Sequence, residues 1–438
     1  MVIKLERNTL RYNQYIDLLK SELVKAMGCT EPIALAYAAS KAREILGELP
    51  VKIEASVSAN IIKNVKSVIV PNTGGSKGIA SAIIAGVLFG DASRKLEVLE
   101  GHFIDASSKI KEYGEKTPIE ITSSKSDHIF DIGIKAYSNN HKAYVRIVDA
   151  HTNIVKIEYD GKSQAISKED VSCSSNPRIK KTGLEEFIKT ITIKEIYDFS
   201  NTCHLEDVED ILDEQIRCNM AIALEGMKNN YGANIGKVLM KTYGDSVNIK
   251  ARAYAAAGSD ARMNGCLLPV VINSGSGNQG MTASIPVIIY AKELNKSKES
   301  LYRALLISNL STIHIKSGIG ILSAYCGAVA AGCGSGAGIC YLLGGDCKAI
   351  SHTLVNALAI NSGIVCDGAK ASCAAKISSA VDAGVLGYYM YQNGNQFLGG
   401  DGIVKKGVEN TIYNVGLLAR EGMKITDKEI IKIMLDDE

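Results

Sequence analysis

A chain of 438 residues is longer than one hydrophobic core usually serves, so two domains are expected. With 46% hydrophobic and 22% charged residues it reads as folded rather than disordered. Its 49 basic and 47 acidic side chains leave a formal charge of +2, which gives no field for drawing in nucleic acid or an anionic membrane.

The N-terminal "MVIKLERNTLRYNQYIDLLK" is charged and has no apolar run followed by a cleavage site, so no signal peptide is expected. Eleven cysteines, an odd number, point to a reducing, cytoplasmic setting without structural disulfides. Residues 13–47 read as helix, with Ala, Leu and Ile at helical spacing. Within them "MGCTEP" surrounds Cys29, which is either a buried thiol in a turn or a thiolate base or nucleophile. "VKIEASVSA" (51–59) and "VKSVIV" (65–70) read as strands. "VPNTGGSKGIA" (70–80) then feeds a helix and is either an ordinary helix entry or a turn that holds an anion. "HIFDIGIKAYS", "KAYVRIVDA" and "NIVKIEYDG" alternate apolar and polar residues, as half-buried antiparallel strands do. "SCSSNPRIKKTG" (172–183) reads as a linker.

From about residue 191 amphipathic and buried helices take over, with Gly and Ala increasingly dominant. The class is therefore α+β. An α/β domain over residues 1–190, with antiparallel strands, is expected to pack against a mainly helical, Gly/Ala-rich domain over residues 191–438. "NSGSGNQG" (273–280) contains a literal GxGxxG, but Pro286 is expected to interrupt the helix after it and the setting is not βαβ. A turn holding a small carboxylate fits better than a nucleotide site. Ser317 to Gly345 carries no charge and is long enough to cross a bilayer, yet its glycines and the lack of a second such segment favour a buried core helix.

Cys326, Cys333, Cys340 and Cys347 recur every seven residues. On one helix each step would rise about 10.5 Å, so at most one or two could serve the same centre, and the others are small buried hydrophobes. Cys366 and Cys373 share that spacing, but a turn at Asp367–Gly368 would let their thiols converge. The spacing is not CxxC and suits an iron–sulfur group better than thioredoxin chemistry or a common zinc module. His314, Lys316 and His352 are either proton donors or structural residues. Lys370 and Lys376 hold a substrate carboxylate or are simply solvated.

Taken together, "GCTEP", "VPNTGGSKGI", "HTNI" (151–154), "SGSGNQG", "YCGAVAAGCGSGAGICYLLGG" and "CDGAKASCAAKI" resemble the L-cysteine desulfidase family, relatives of the iron–sulfur-dependent L-serine dehydratases. The resemblance spans almost the whole chain. It implies a [4Fe–4S] cluster held by Cys326, Cys366 and Cys373, with one iron open as a Lewis acid, and Cys29 as the base. The implied reaction turns L-cysteine into pyruvate, ammonia and sulfide. Asn72, Thr73 and Gly74 of the first Gly-rich turn, with Ser274, Gly275 and Asn278 of the second, are the candidates for holding the substrate. "GCTEP" stands where serine dehydratases carry a Ser-Ser-His-Thr type stretch, and the chain ends "KIMLDDE" without the terminal cysteine some of them have; both differences favour the desulfidase side. L-serine dehydration by the same apparatus, or a non-enzymatic iron–sulfur redox protein, stay as alternatives. L-cysteine is the expected small-molecule partner, neither nucleic acid nor membrane is expected, and a homodimer is left open. Such a site requires Cys29 from the first domain to meet the cluster in the second.

Overall fold

The long helix expected over residues 13–47 is two helices, α1 (Leu10–Glu22) and α2 (Thr30–Leu46), separated by a short strand β1 (Lys25–Met27). The break is dictated at Gly28, whose φ of +59° is left-handed and whose missing Cβ would sit 2.1 Å from Pro71 Cγ. Only glycine fits both constraints. These coordinates come from a computed structural model, which describes residues 5–101, 103–166, 184–320 and 323–435; the expected linker at 172–183 lies outside the described residues.

The first half continues with β2 (Lys52–Val57), α3 (Ala59–Val65), α4 (Gly78–Phe89), α5 (Ala106–Lys116), β3 (Ile119–Ser123), β4 (Asp131–Tyr137), β5 (Lys142–Val148), β6 (Ile154–Tyr159) and β7 (Lys162–Ser163). One six-stranded sheet runs β3-β2-β4-β5-β6-β7, antiparallel except for the β2–β3 pair, which α3 to α5 cross over. Helix α2 lies between this sheet and α4, and their apolar faces form one core of Ile, Val and Ala side chains. The strand expected at 65–70 does not form. Its apolar residues Val68 and Val70 are buried by packing, and only Ile69 pairs, in an isolated bridge with Lys77. A short apolar run does not by itself distinguish a strand from a buried connection.

The second half comprises α6 (Leu184–Thr190), α7 (Ile193–Thr202), α8 (Glu209–Lys228), α9 (Ile235–Tyr243), α10 (Val247–Met263), β8 (Pro269–Val271), α11 (Gly277–Glu293), α12 (Lys298–Ile319), α13 (Gly327–Leu342), α14 (Cys347–Ile360), α15 (Cys373–Gln392), α16 (Val408–Leu417) and α17 (Lys424–Leu435). Helix α1 packs here too, with Tyr15 stacked on Phe199 at 4.4 Å between ring centroids. Pro286 does not end α11, which runs straight through it. Packing against α10, α12 and α13 overrides the local cost of a missing N–H.

Helix α13 is the axis of this half, enclosed by α11, α12, α14 and α15, which is where an all-apolar, small-residue helix belongs. It lies within the uncharged stretch 317–345, and among the described residues no helix is long and apolar enough to cross a membrane. Its glycines admit neighbouring backbone: a Cβ on Gly332 would lie 2.3 Å from the Ala380 carbonyl oxygen of α15. Alanine normally stabilises a helix interior by up to about 1 kcal/mol over glycine. Here the clash reverses the sign, and Gly332→Ala is expected to destabilise the fold by roughly 1–3 kcal/mol, measured as a lower urea midpoint.

Candidate functional site

A cavity of about 120 Å³ lies where the first turns of α2, α11, α13 and α15 meet. Two strand pairings bring them together. β1 pairs antiparallel with β8, Lys25 opposite Val271, which sets the residues after Met27 beside the turn that follows β8. Thr30 Oγ1 then donates to the Gly275 carbonyl, 3.2 Å away. An isolated bridge joins Tyr325 to Val365, with Cys326 N–H donating to Ile364 O (3.1 Å) and Cys366 N–H to Ala324 O (2.7 Å). Residues 326 and 366 are thus neighbours although forty positions apart. At the expected Asp367–Gly368 turn only the left-handed glycine is found, and the chain turns later, over residues 369–372 just before α15. Gly368 has φ +95°, and a Cβ there would lie 2.5 Å from the Lys63 carbonyl oxygen. That close approach sets Lys63 of α3 on the cavity wall.

Cys29, Cys326, Cys366, Cys373, Ser274, Gly275 and Asn278 all line this cavity, as do Lys316 and Lys376. Asn72, Thr73 and Gly74 do not. Asn72 Nδ2 donates to Leu99 O (2.5 Å), Thr73 Oγ1 donates to Val70 O (2.6 Å), and Gly74 faces Ser107. The "VPNTGG" turn is a buttress: Pro71 sits against Gly28 and fixes the approach to Cys29. Cys333 and Cys340 are buried along α13, and Cys347 opens α14, so the seven-residue series contributes only Cys326 to the cavity. His352 stacks on Tyr391 (4.7 Å), Lys370 pairs with Asp367, and His314 Nε2 lies 2.7 Å from Glu409 Oε2; none of the three lines the cavity.

Cys29 is the N-cap of α2 and packs with Val68, Met263, Ala369 and Cys373. Its thiol donates to Glu31 Oε2 at 3.2 Å. Burial, then the Glu31 carboxylate, push that thiol well above its ordinary range, with Arg262 opposing them. Cys366 is drawn the other way, to about 6, first by its hydrogen bond with Cys326 and then, against burial, by Lys63, the Gly368 N–H and Lys376. The same partnership and burial push Cys326 up, and burial raises Cys373. Lys316 is pulled down to about 8 by burial, while the thiols of Cys366 and Cys326 favour its charge.

Among the described residues no three His, Cys, Asp or Glu side chains converge tightly enough to hold one metal ion. Cys326, Cys366 and Cys373 instead share a cavity with the ammonium groups of Lys63, Lys316 and Lys376. Three thiols with cations around them fit an iron–sulfur group, in which each sulfur serves a different iron, better than a single zinc ion.

The structure adds Glu31, Lys63, Asn64, His151, Arg262 and Gln279 to the wall. His151 and Gln279 sit inside the quoted "HTNI" and "SGSGNQG" stretches, but Lys63 and Arg262 carry no local signal. Two glycines explain how Arg262 and Gln279 fit. A Cβ on Gly277 would be 2.3 Å from Arg262 Nε, and on Gly327 2.8 Å from Gln279 Oε1. The GxGxxG pattern therefore clears space at Gly277 for a protein side chain, and at Gly280 for the Val271 carbonyl at 2.1 Å.

The fold and this thiol-lined cavity define a lyase-type enzyme once the relatives are considered. The profile of the family described as serine dehydratase alpha chain matches residues 93–432. A UPF0597 protein of Desulfitobacterium hafniense is 55% identical over 99% of both chains. UPF0597 proteins of Lachnoclostridium phytofermentans (48% identical, 97% of this chain and 100% of the relative) and Finegoldia magna (46%, 96% and 99%) are similar to it along their full lengths. The chain belongs to the serine dehydratase alpha chain family, alongside these UPF0597 proteins.

His314 is explained by structure rather than chemistry. Glu409 of α16 joins it and also accepts from Ile193 N–H (2.7 Å), tying α12, α16 and the start of α7 together. Burial opposes the Glu409 charge, but His314 and that N–H outweigh it and hold the carboxyl below its ordinary range. A lowered carboxylate pKa stabilises the fold above the unfolded value and is lost as pH falls through the folded one. Glu409→Gln is expected to lower stability at pH 7, with the gap to wild type closing below about pH 4, read from urea midpoints at both pH values.

Proposed function

We propose that this protein catalyses β-elimination of L-cysteine to pyruvate, ammonia and sulfide, using a [4Fe–4S] cluster held by Cys326, Cys366 and Cys373 and Cys29 as base. One observation carries the reading: four cysteines drawn from positions 29 to 373 line a single cavity with three lysines and an arginine. The bound cluster supplies a Lewis-acidic iron for the substrate. The chain's residues do the rest. The amino acid would enter the cavity that these cysteines and cations line. Cys29 takes the Cα proton as thiolate, so its own proton must leave first, and Glu31 Oε2 is the acceptor its S–H already faces. Thr30 and Asn64 hold that carboxylate, through contacts of 3.1 Å to Oε2 and 3.3 Å to Oε1. Tight packing around Cys29 keeps water from the carbanion side of the site. In this reading residues 1–190 contribute Cys29 and residues 191–438 hold the cluster, and the active site lies between the two units.

A second reading, dehydration of L-serine, is favoured by the description of the family profile. Turnover of the two amino acids on one anaerobic preparation separates them, and cysteine is expected to be preferred. That preparation should be brown and release sulfide and pyruvate from L-cysteine. Cys29→Ala should lower turnover by roughly 10²–10⁴-fold while the visible absorption persists, and Cys366→Ser should remove the absorption. A colourless protein with full activity overturns the proposal.

A further inference from the structure

Every lysine ammonium on the cavity wall already has a partner. Lys63 meets Asp427, Lys376 meets Asp367 and the Val365 carbonyl, and Lys316 meets the Gly320 carbonyl. Arg262 differs. Its Nη1 donates to Asn278 Oδ1 at 3.3 Å, but its Nε is buried with no partner, in a residue only 3% exposed. This guanidinium stands in the slot left by Gly277, the first residue of α11, so a helix N-terminus lies against the same spot. A donor and a helix N-terminus side by side suit a carboxylate.

The acceptors divide in the same way. Both oxygens of Glu31 are engaged by Cys29, Thr30 and Asn64, and Asn278 Oδ1 by Arg262. Gln279 Oε1 is buried without a partner, in a residue 5% exposed that rests in the slot above Gly327, next to Cys326. A buried donor and a buried acceptor without partners are each unfavourable, and a complementary ligand relieves both.

On the reading that a small α-amino acid occupies this cavity, we propose that Arg262 binds its carboxylate and Gln279 accepts from its ammonium group. Arg262 brings a buried, unpartnered N–H and Gln279 a buried, unpartnered carbonyl oxygen to the wall of the same cavity, so the two poles of a zwitterion would meet opposite partners. The sulfur-bearing carbon is left to the cysteine-lined part of the cavity. Recognition of both poles makes the site specific for α-amino acids over thiol acids and thiol amines of the same size.

The test uses three ligands on the anaerobic holoenzyme, with dissociation constants from titration calorimetry: L-alanine (both poles, no leaving group), 3-mercaptopropionate (no amine) and cysteamine (no carboxylate). Arg262→Gln is expected to weaken L-alanine and 3-mercaptopropionate by roughly 10- to 100-fold and to leave cysteamine unchanged, with partial rescue by Arg262→Lys. Gln279→Leu is expected to weaken L-alanine and cysteamine by about 10-fold and to spare 3-mercaptopropionate. Equal loss across all three ligands, no loss, or a wild-type protein that does not bind L-alanine overturns the assignment. If neither L-cysteine nor L-serine is turned over while the binding pattern holds, the proposed reaction falls and this recognition stands. Turnover without the pattern sinks the recognition alone.

Discussion

Four helices begin at one cavity, and much of the site follows from that. The N-caps of α2, α11, α13 and α15 are Cys29, Ser276, Cys326 and Ser372, and none of their side chains accepts a bond from its own helix. Each N-terminus carries a partial positive charge worth about 0.3–1 kcal/mol to a nearby anion, more where it is partly buried. Lys63 and Lys376 are paired with Asp427 and Asp367, while Lys316 and Arg262 add further positive charge beside Glu31. A concentration of positive potential in a closed space is unfavourable alone. It becomes favourable when thiolates or other anions occupy it. The thiol of Cys29 shows the competition: Arg262 favours its charged form, but burial and Glu31 dominate and keep the proton on sulfur.

Close backbone approach is what makes the convergence sterically feasible. Along α13, glycine lets α15 come near enough for main chain to touch main chain. At the cavity the same absence of a Cβ opens slots at Gly277 and Gly327 for Arg262 and Gln279. Small residues therefore do two jobs in one region: they bring helix starts together, then make room for polar side chains on the cavity wall. The dinucleotide-like pattern in "NSGSGNQG" is a by-product of the second job, because its Gly277 and Gly280 accommodate a protein side chain and a strand carbonyl.

Much of the fold was legible along the chain. The alternation in residues 131–159 gave three antiparallel strands, and the apolar, charge-free stretch near residue 330 gave a buried helix, because both patterns report burial directly. Two local readings failed for the same reason. "VKSVIV" has strand-like composition but no partner strand, and Pro286 is a helix breaker whose cost is overridden by the packing of α11. In each case non-local contacts outweighed a local preference. Cys326, Cys366, Cys373 and Cys29 could be picked out through motifs, and they do meet. Asn72, Thr73 and Gly74 looked like their counterparts at 274–278, but a Gly-rich turn can hold a ligand or brace a neighbour, and spacing does not tell which.

Residue order by itself determined the three antiparallel strands between residues 131 and 159 and the burial of α13, because periodicity and the lack of charge act over a few residues. Tertiary structure alone decided which side chains face one another. Lys63 reaches the cavity through the approach of Gly368, some 300 positions away, and Arg262 through the β1–β8 pairing of segments some 240 positions apart together with the slot at Gly277 nearby in the chain. A close contact at that separation leaves no periodic trace in either segment, which is why the cysteines, Lys316 and Lys376 could be picked out and Lys63 and Arg262 could not.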